Sequence, residues 1–162
     1  MILVLLVNLI LATGKQKQHH LHHQVMFNRE QNVVVLDRDN FDAALMNFQV
    51  LLVDFYAPWC PHCKNLMPQF ENAATMLKEK KSKITLAKVD CTQESFLCMK
   101  FDVRGYPTLR IFYHDKIFHY NGDRTPHGIV EYMETHLKQE EEKEKQRIQQ
   151  EQEKLRQKQN YP

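Results

Sequence analysis

Short apolar runs and longer amphipathic segments alternate along the chain from Val33 to about Leu137. Runs of roughly four to eight apolar residues are typical of buried strands, whereas apolar positions three or four apart are typical of helices. Five segments predict strands: Val33–Leu36, Val50–Tyr56, Ile84–Val89, Thr108–Tyr113 and Ile117–Tyr120. Four segments predict helices: one capped by Asp39 and running to Phe48, one over Cys60–Lys81, one over Phe96–Phe101, and one that begins at Thr125-Pro126. The order βαβαβαββα predicts an α/β domain with a central mixed sheet flanked by helices, over residues 28–137.

The chain begins with an apolar run, Met1–Ala12, followed by small residues up to Gly14. A run of this length is too short to span a bilayer, which takes roughly 20 residues. We therefore expect residues 1–14 to be a cleaved secretory signal peptide, with a short membrane anchor as the alternative, and we expect no membrane span in the mature chain. Residues 15–27 form a polar linker with four histidines, and transition-metal binding by this cluster is the alternative to a plain linker.

Residues 138–162 consist almost wholly of Glu, Lys, Arg and Gln. Each of the six glutamates from Glu140 onward is followed three or four positions later by Lys or Arg, a spacing that stabilises a solvated helix. We expect a charged helical extension of the last domain helix. It is either a solubilising tail or a partner-binding segment.

The overall composition describes one domain with little net charge. The 162 residues carry 22 basic and 20 acidic side chains, a formal charge of +2. Nucleic-acid binding is not expected, because no stretch of the domain is strongly basic.

The segment Trp59-Cys60-Pro61-His62-Cys63 stands where a buried strand meets a helix. At a helix N-terminus the unpaired backbone N–H groups stabilise a thiolate, and a protonated His62 would add a nearby positive charge. Cys60 is therefore the expected attacking thiol. Cys63, one turn further in, is the expected resolving thiol.

Two charged residues stand in strands that are otherwise apolar, Asp54 and Lys88. A buried carboxylate is costly unless it is paired or protonated, and burial raises its pKa toward the range of a general base for a thiol. We expect Asp54 to accept a proton and Lys88 to pair with it. The alternative places both side chains on the surface.

The sequence leaves two alternatives each for the remaining cysteines, Cys91 and Cys98, and for the Tyr106-Pro107 bond. Secretion makes a disulfide between Cys91 and Cys98 the default, and a zinc site shared with Cys60 and Cys63 is the rival. The Tyr106-Pro107 bond ahead of a strand is either cis or trans.

These motifs together resemble a thioredoxin module of the protein disulfide isomerase family. Three stretches carry the resemblance: Val53–Lys64, Leu86–Thr92 and Val103–Leu109. The resemblance implies a thioredoxin fold, with Asp54 as the buried acid and Lys88 as its charge partner. It also implies a cis Pro107, and an Arg124 that lowers the pKa of the second cysteine. Client contacts are expected at Trp59, Pro61, Gly105, Tyr106 and Pro107.

The resemblance implies a thiol-disulfide oxidoreductase that forms, reduces or isomerises disulfides in folding secretory polypeptides. No cofactor other than the redox-active Cys60/Cys63 pair and no metal are expected, and glutathione or a thiol oxidase would recycle the pair. The expected location is the lumen of the endoplasmic reticulum. Secretion is the alternative, because the chain ends without a retrieval signal.

Two features qualify this expectation. Pro61 stands where the isomerases usually have Gly, and Pro-His between the cysteines resembles a strongly oxidising bacterial periplasmic oxidase, so a more oxidising pair is expected. A single module favours simple oxidation or reduction over efficient isomerisation. The alternative functions are a redox-inactive client-binding adaptor and a metal carrier that uses the histidine cluster.

Overall fold

The structure is a computed structural model that describes residues 26–159. The predicted signal peptide, the histidine cluster and the last three residues lie outside this range. The described part contains a six-stranded sheet. Its strands are β1 (Arg29–Glu30), β2 (Val33–Leu36), β3 (Val50–Tyr56), β4 (Ile84–Asp90), β5 (Thr108–Tyr113) and β6 (Lys116–His119). The four helices are α1 (Phe41–Asn47), α2 (Pro61–Glu79), α3 (Ser95–Lys100) and α4 (Pro126–Gln159).

The sheet is mixed, as the sequence predicts, with spatial order β1-β2-β4-β3-β5-β6. The central strand β3 runs parallel to β4 and antiparallel to β5. Strand β2 extends the parallel part, and β1 and β6 form the two antiparallel edges. Because β3 is paired on both sides, the carboxyl end of this buried strand gives a rigid base for the segment that follows it.

Side chains of β3 alternate between two cores. Val50 and Leu52 pack with helices α2 and α4 on one face, whereas Leu51, Val53 and Phe55 pack with α1 and α3 on the other. This alternation follows from the two-residue period of a strand. Asp54 follows Leu52 on the face of α2 and α4, so its carboxylate is buried among apolar side chains.

One local prediction is wrong, and one strand was not predicted. Asp39 does not cap α1: the N-cap residue is Asn40, and the carboxylate of Asp37 accepts hydrogen bonds from the backbone N–H groups of Asp39 and Asn40, both at 2.9 Å. Strand β1 was not predicted, because a two-residue strand has no hydrophobic period. It forms a tight hairpin with β2 through Gln31 and Asn32, both at positive φ.

The last helix begins where the sequence predicts. The Thr125 hydroxyl accepts a hydrogen bond from the backbone N–H of Gly128 at 3.2 Å, as expected of a cap. The helix then runs unbroken through Leu137 to Gln159. No helix among residues 26–159 is both long enough and apolar enough to cross a membrane.

Candidate active site

The two cysteines of the CxxC segment lie at the start of α2, directly after β3. Cys60 is the N-cap residue, and Pro61 takes the first helical position. The backbone N–H of Cys60 donates to the carbonyl of Ala57 at 3.0 Å, which fixes the turn between strand and helix. Both thiols are reduced, and both residues are nearly covered: Cys60 is 5% exposed and Cys63 is 2% exposed.

The pKa values of the two thiols move in opposite directions. The pKa of Cys60 is lowered, first by a hydrogen bond from the thiol of Cys63 and then by the backbone N–H groups of Cys63 and His62. The pKa of Cys63 is raised to about 11, chiefly by burial and further by the neighbouring charges of Asp54 and Cys60. Cys60 is thus the better nucleophile at neutral pH. His62 contributes to this lowering through its backbone N–H, and its side chain is exposed.

The loop before β5 covers the Cys60 sulfur. The thiol of Cys60 points at the carbonyl oxygen of Tyr106, 3.5 Å away, and the Tyr106-Pro107 peptide is cis. Trp59 stands beside Tyr106 with ring centroids 6.0 Å apart, and 67% of Trp59 is exposed. Gly105 faces open space, and its carbonyl accepts a hydrogen bond from the Thr108 hydroxyl at 2.7 Å.

Asp54 is fully buried, and neither oxygen of its carboxyl group has a hydrogen-bond partner in the described structure. Burial raises its pKa to about 7, although the positive charges of Arg124 and Lys88 act against this rise. A carboxyl group with this pKa can exchange a proton with a thiol near neutral pH. Arg124 itself is exposed, and its positive charge lowers the pKa of Asp54.

The predicted pairing of Lys88 with Asp54 is wrong as a direct contact. The two residues are register partners on β4 and β3, but the Lys88 ammonium donates to the carboxylate of Glu30 on β1. It also lies 5.9 Å from the centre of the Tyr56 ring. The long lysine side chain therefore reaches the edge of the sheet and leaves Asp54 without a partner.

A cavity of about 200 Å³ opens beside Cys63. Cys63 and Lys88 both line it, and Tyr56, Ala57, Pro58, Lys64 and Met67 complete the wall. No sequence pattern indicates this cavity, because its walls come from three separate elements. A larger cavity of about 380 Å³ runs along α4, and none of the cysteines lines it.

Cys91 and Cys98 form a disulfide that joins the end of β4 to α3, with Cα atoms 5.7 Å apart. Both residues are buried in the core on the α1 and α3 side of the sheet. This bond is incompatible with the rival zinc site of four cysteines. Among residues 26–159, no three His, Cys, Asp or Glu side chains are grouped as metal ligands.

Comparisons with known proteins place this geometry in a family. A family model described as Thioredoxin matches residues 32–135. Protein disulfide-isomerase A4 of Mus musculus is 52% identical over 98 residues, which is 60% of this chain and 15% of that protein. The probable protein disulfide-isomerase ER-60 of Schistosoma mansoni is 46% identical over 110 residues, 67% of this chain and 23% of that protein. The chain thus spans less than a quarter of the length of these relatives.

Solved structures agree with the sequence comparisons. The first thioredoxin domain of mouse protein disulfide-isomerase A4 superposes with a TM-score of 0.60 at 41% identity, covering 67% of this chain and 77% of that one. Human ERp44 form II superposes with a TM-score of 0.61 at 31% identity, covering 68% and 32%. These matches confirm the predicted thioredoxin fold. The chain belongs to the thioredoxin family and is a thioredoxin-domain protein of the protein disulfide isomerase family.

Proposed function

We propose that this protein is a thiol-disulfide oxidoreductase that acts on folding secretory polypeptides through Cys60 and Cys63. The observation that carries the proposal is the placement of the two thiols at the start of α2, with Cys60 as the N-cap residue against the Tyr106 carbonyl and Cys63 buried one turn further in. The pKa values of the two thiols move in opposite directions, in keeping with this placement. A lowered pKa supplies a thiolate for attack, whereas a raised pKa keeps the second thiol protonated until an intermediate has formed.

The reductive direction takes two exchange steps. The Cys60 thiolate attacks a client disulfide, so that a mixed disulfide forms and one client sulfur leaves as a thiolate. Cys63 then loses its proton to Asp54 and attacks the Cys60 sulfur, which forms the Cys60–Cys63 bond and releases the second client thiolate. Two electrons pass from the cysteine pair to the client. Oxidation of a client is the same sequence in reverse, and glutathione or a thiol oxidase resets the pair.

Client binding is proposed for the surface around Cys60. Trp59 offers an exposed aromatic face, and the Tyr106-Pro107 loop lies against the Cys60 sulfur. Pro61 directly follows Cys60, and Gly105 directly precedes Tyr106 in this loop. The lumen of the endoplasmic reticulum is the proposed location, supported by the predicted signal peptide and by the similarity to protein disulfide isomerases.

The experiment that tests the function compares Cys60→Ser with Cys63→Ser in the full chain. Cys60→Ser should abolish catalysed reduction of a disulfide-bonded test polypeptide by dithiothreitol. In the absence of dithiothreitol, which would cleave such an adduct, Cys63→Ser should accumulate a mixed disulfide with the polypeptide at Cys60, because the resolving thiol is gone. Mass spectrometry reads the adduct. Activity that survives both changes would overturn the proposal and favour the adaptor function.

The reduction potential of the pair tests the expectation, based on Pro61, that the pair is more oxidising than a Gly-His pair. Thiolate stabilisation favours the reduced form, so we expect a potential above that of thioredoxin, about −270 mV. Pro61→Gly should lower the potential by roughly 30 mV, a tenfold change in the equilibrium constant. Equilibration in glutathione buffers with mass readout of each cysteine pair measures it. A potential at or below that of thioredoxin would identify a reductase instead.

A further inference from the structure

Glu30 reaches the site from an element that lies outside the CxxC region. The hairpin of β1 and β2 places its carboxylate on the Lys88 ammonium. The lysine side chain is only 8% exposed, whereas that of Glu30 is 57% exposed. The edge strand thus supplies the counter-charge of a lysine that is otherwise enclosed.

A second carboxyl group, that of Asp54, lies on the strand next to the lysine. Asp54 is its register partner on the neighbouring parallel strand, so both side chains lie on the same face. The Asp54 oxygens nevertheless have no hydrogen-bond partner among the described residues. Lys88 lines the cavity beside Cys63, and its ammonium donates a hydrogen bond to the carboxylate of Glu30. The two carboxylates therefore compete for one ammonium, and Glu30 holds it.

We propose that Glu30 is a positioning residue of the thiol chemistry: it holds the Lys88 ammonium at the sheet edge and away from Asp54, which leaves Asp54 free to exchange a proton with Cys63. This inference rests on the proposed oxidoreductase function. It assigns Glu30 no contact with the client or with the reacting sulfurs.

The charged and titratable groups around Asp54 determine the sign of the effect. Lys88 on β4 and Arg124 after β6 favour its carboxylate. The Asp54 carboxylate in turn acts to raise the pKa values of Cys60 at the cap of α2, of Cys63 within α2 and of Tyr56 at the end of β3. Removing Glu30 deletes one negative charge and frees Lys88 to approach Asp54. Both changes favour the carboxylate, so both lower the pKa of Asp54.

The test measures Asp54 directly and through its chemistry. In the reduced full chain, the pH midpoint of the Asp54 carboxyl carbon is followed by NMR in wild type and in Glu30→Gln. The midpoint should fall by about 0.5 pH unit or more. In the oxidation of the reduced protein by oxidised glutathione, the ratio of the rate at pH 6 to that at pH 8 should rise about threefold.

Three further variants separate positioning from general structural effects. Glu30→Asp retains the charge and should restore most of the wild-type midpoint. Glu141→Gln removes another carboxylate that is ion-paired with a lysine, Lys83, and should leave the midpoint unchanged. In a Lys88→Met background, Glu30→Gln should lose most of its effect, since Glu30 acts through the lysine.

An unchanged or raised Asp54 midpoint in Glu30→Gln would overturn the inference, and so would an equal shift in the presence and absence of Lys88. The NMR midpoint does not depend on turnover. Loss of exchange activity in the wild type would therefore refute the proposed function while still leaving the role of Glu30 measurable.

Discussion

Asp54 lowers the stability of the folded protein whenever it is ionised. Its pKa of about 7 in the folded state lies above the ordinary value of 3.8. The folded protein therefore binds more protons than the unfolded chain between about pH 4 and pH 7, and stability falls as the pH rises through that window. A rise of this size corresponds to about 4 kcal/mol once the pH is above 7.

Asp54→Asn removes this dependence. We expect the free energy of unfolding of the variant, minus that of the wild type, to be about 4 kcal/mol larger at pH 8 than at pH 4. Urea unfolding at the two pH values measures the change, with Cys60 and Cys63 replaced by serine in every variant to remove redox differences. Asp39→Asn, an exposed change of the same chemistry, is the control. Equal pH dependence in the Asp54 variant and wild type would show that Asp54 titrates normally.

At the residue scale, the sequence predicted the location of the site better than its contacts. The apolar run around Asp54 indicated burial, and the CxxC segment after a strand indicated a helix N-terminus. The partner of Lys88 was not predictable, because Glu30 lies 58 positions away in the sequence and on a strand with no pattern. Whether the Lys88 ammonium meets Asp54 or Glu30 depends on the path of its long side chain, and the spacing of residues along the sequence does not specify that path.

At the scale of elements, the hairpin before β2 depends on Asn32. Its φ of 69° lies in the left-handed region, which Asn tolerates better than most residues. Its side-chain amide donates to Thr75 at 3.0 Å and accepts from Lys78 at 2.7 Å, so the hairpin is fastened to α2. Its carbonyl accepts from the Arg29 guanidinium at 3.1 Å. Asn32 thus both adopts the backbone conformation of the turn and attaches the hairpin to α2.

Asn32→Ala should destabilise the protein by about 1 to 2 kcal/mol, through the strain of positive φ and the lost hydrogen bonds. Asn32→Gly, which tolerates the turn, should cost less. Urea unfolding of both variants measures the difference. Gln31→Ala is the matched control, because Gln31 also has positive φ but is exposed and makes no side-chain hydrogen bond in the described structure. A larger loss in Gln31→Ala than in Asn32→Ala would contradict this account.

Elements with strong patterns were predicted well, and short ones were not. The bounds of β2, β3 and β5 agree with the predicted strands, because each is a run of buried residues. Helix α2 begins at Pro61 rather than Cys60, which makes Cys60 the cap. Hairpin turns are usually marked by Gly, and Gln31-Asn32 carries no such signal. Strand β1, which the sequence pattern does not predict, is the element that brings Glu30 to Lys88.

At the scale of the whole molecule, helix α4 joins the domain to its charged extension without a break. Glu140 lies within the extension predicted to begin at residue 138, yet only 2% of it is exposed. Its carboxylate accepts from Lys116 on β6 at 3.2 Å and from Lys143 at 2.6 Å. Glu141 pairs with Lys83 ahead of β4 at 3.2 Å. The domain thus uses the first turn of its charged extension to cover the sheet edge.

The hydrogen bonds from both lysines lower the pKa of Glu140. A lowered pKa means that its contribution is present at neutral pH and is lost as the pH falls below the ordinary value of 4.5. Because the side chain of Lys143 is exposed and that of Lys116 is partly exposed, solvent screens the pairs, and we expect Glu140→Gln to cost about 1 kcal/mol at pH 7. The cost should shrink toward zero near pH 3. Urea unfolding at the two pH values measures it.

Glu142→Gln is the matched control, because Glu142 is exposed and makes no ion pair in the part of the chain that the structure describes. It should change stability by less than about 0.5 kcal/mol.

The contacts of Glu140 also predict different stabilities for two truncated chains. Ending the chain after Lys145 keeps both lysine contacts of Glu140 and should leave unfolding unchanged, whereas ending it after Leu137 removes them. Equal stability of the two truncated chains would mean that the extension is independent of the domain from residue 138 onward.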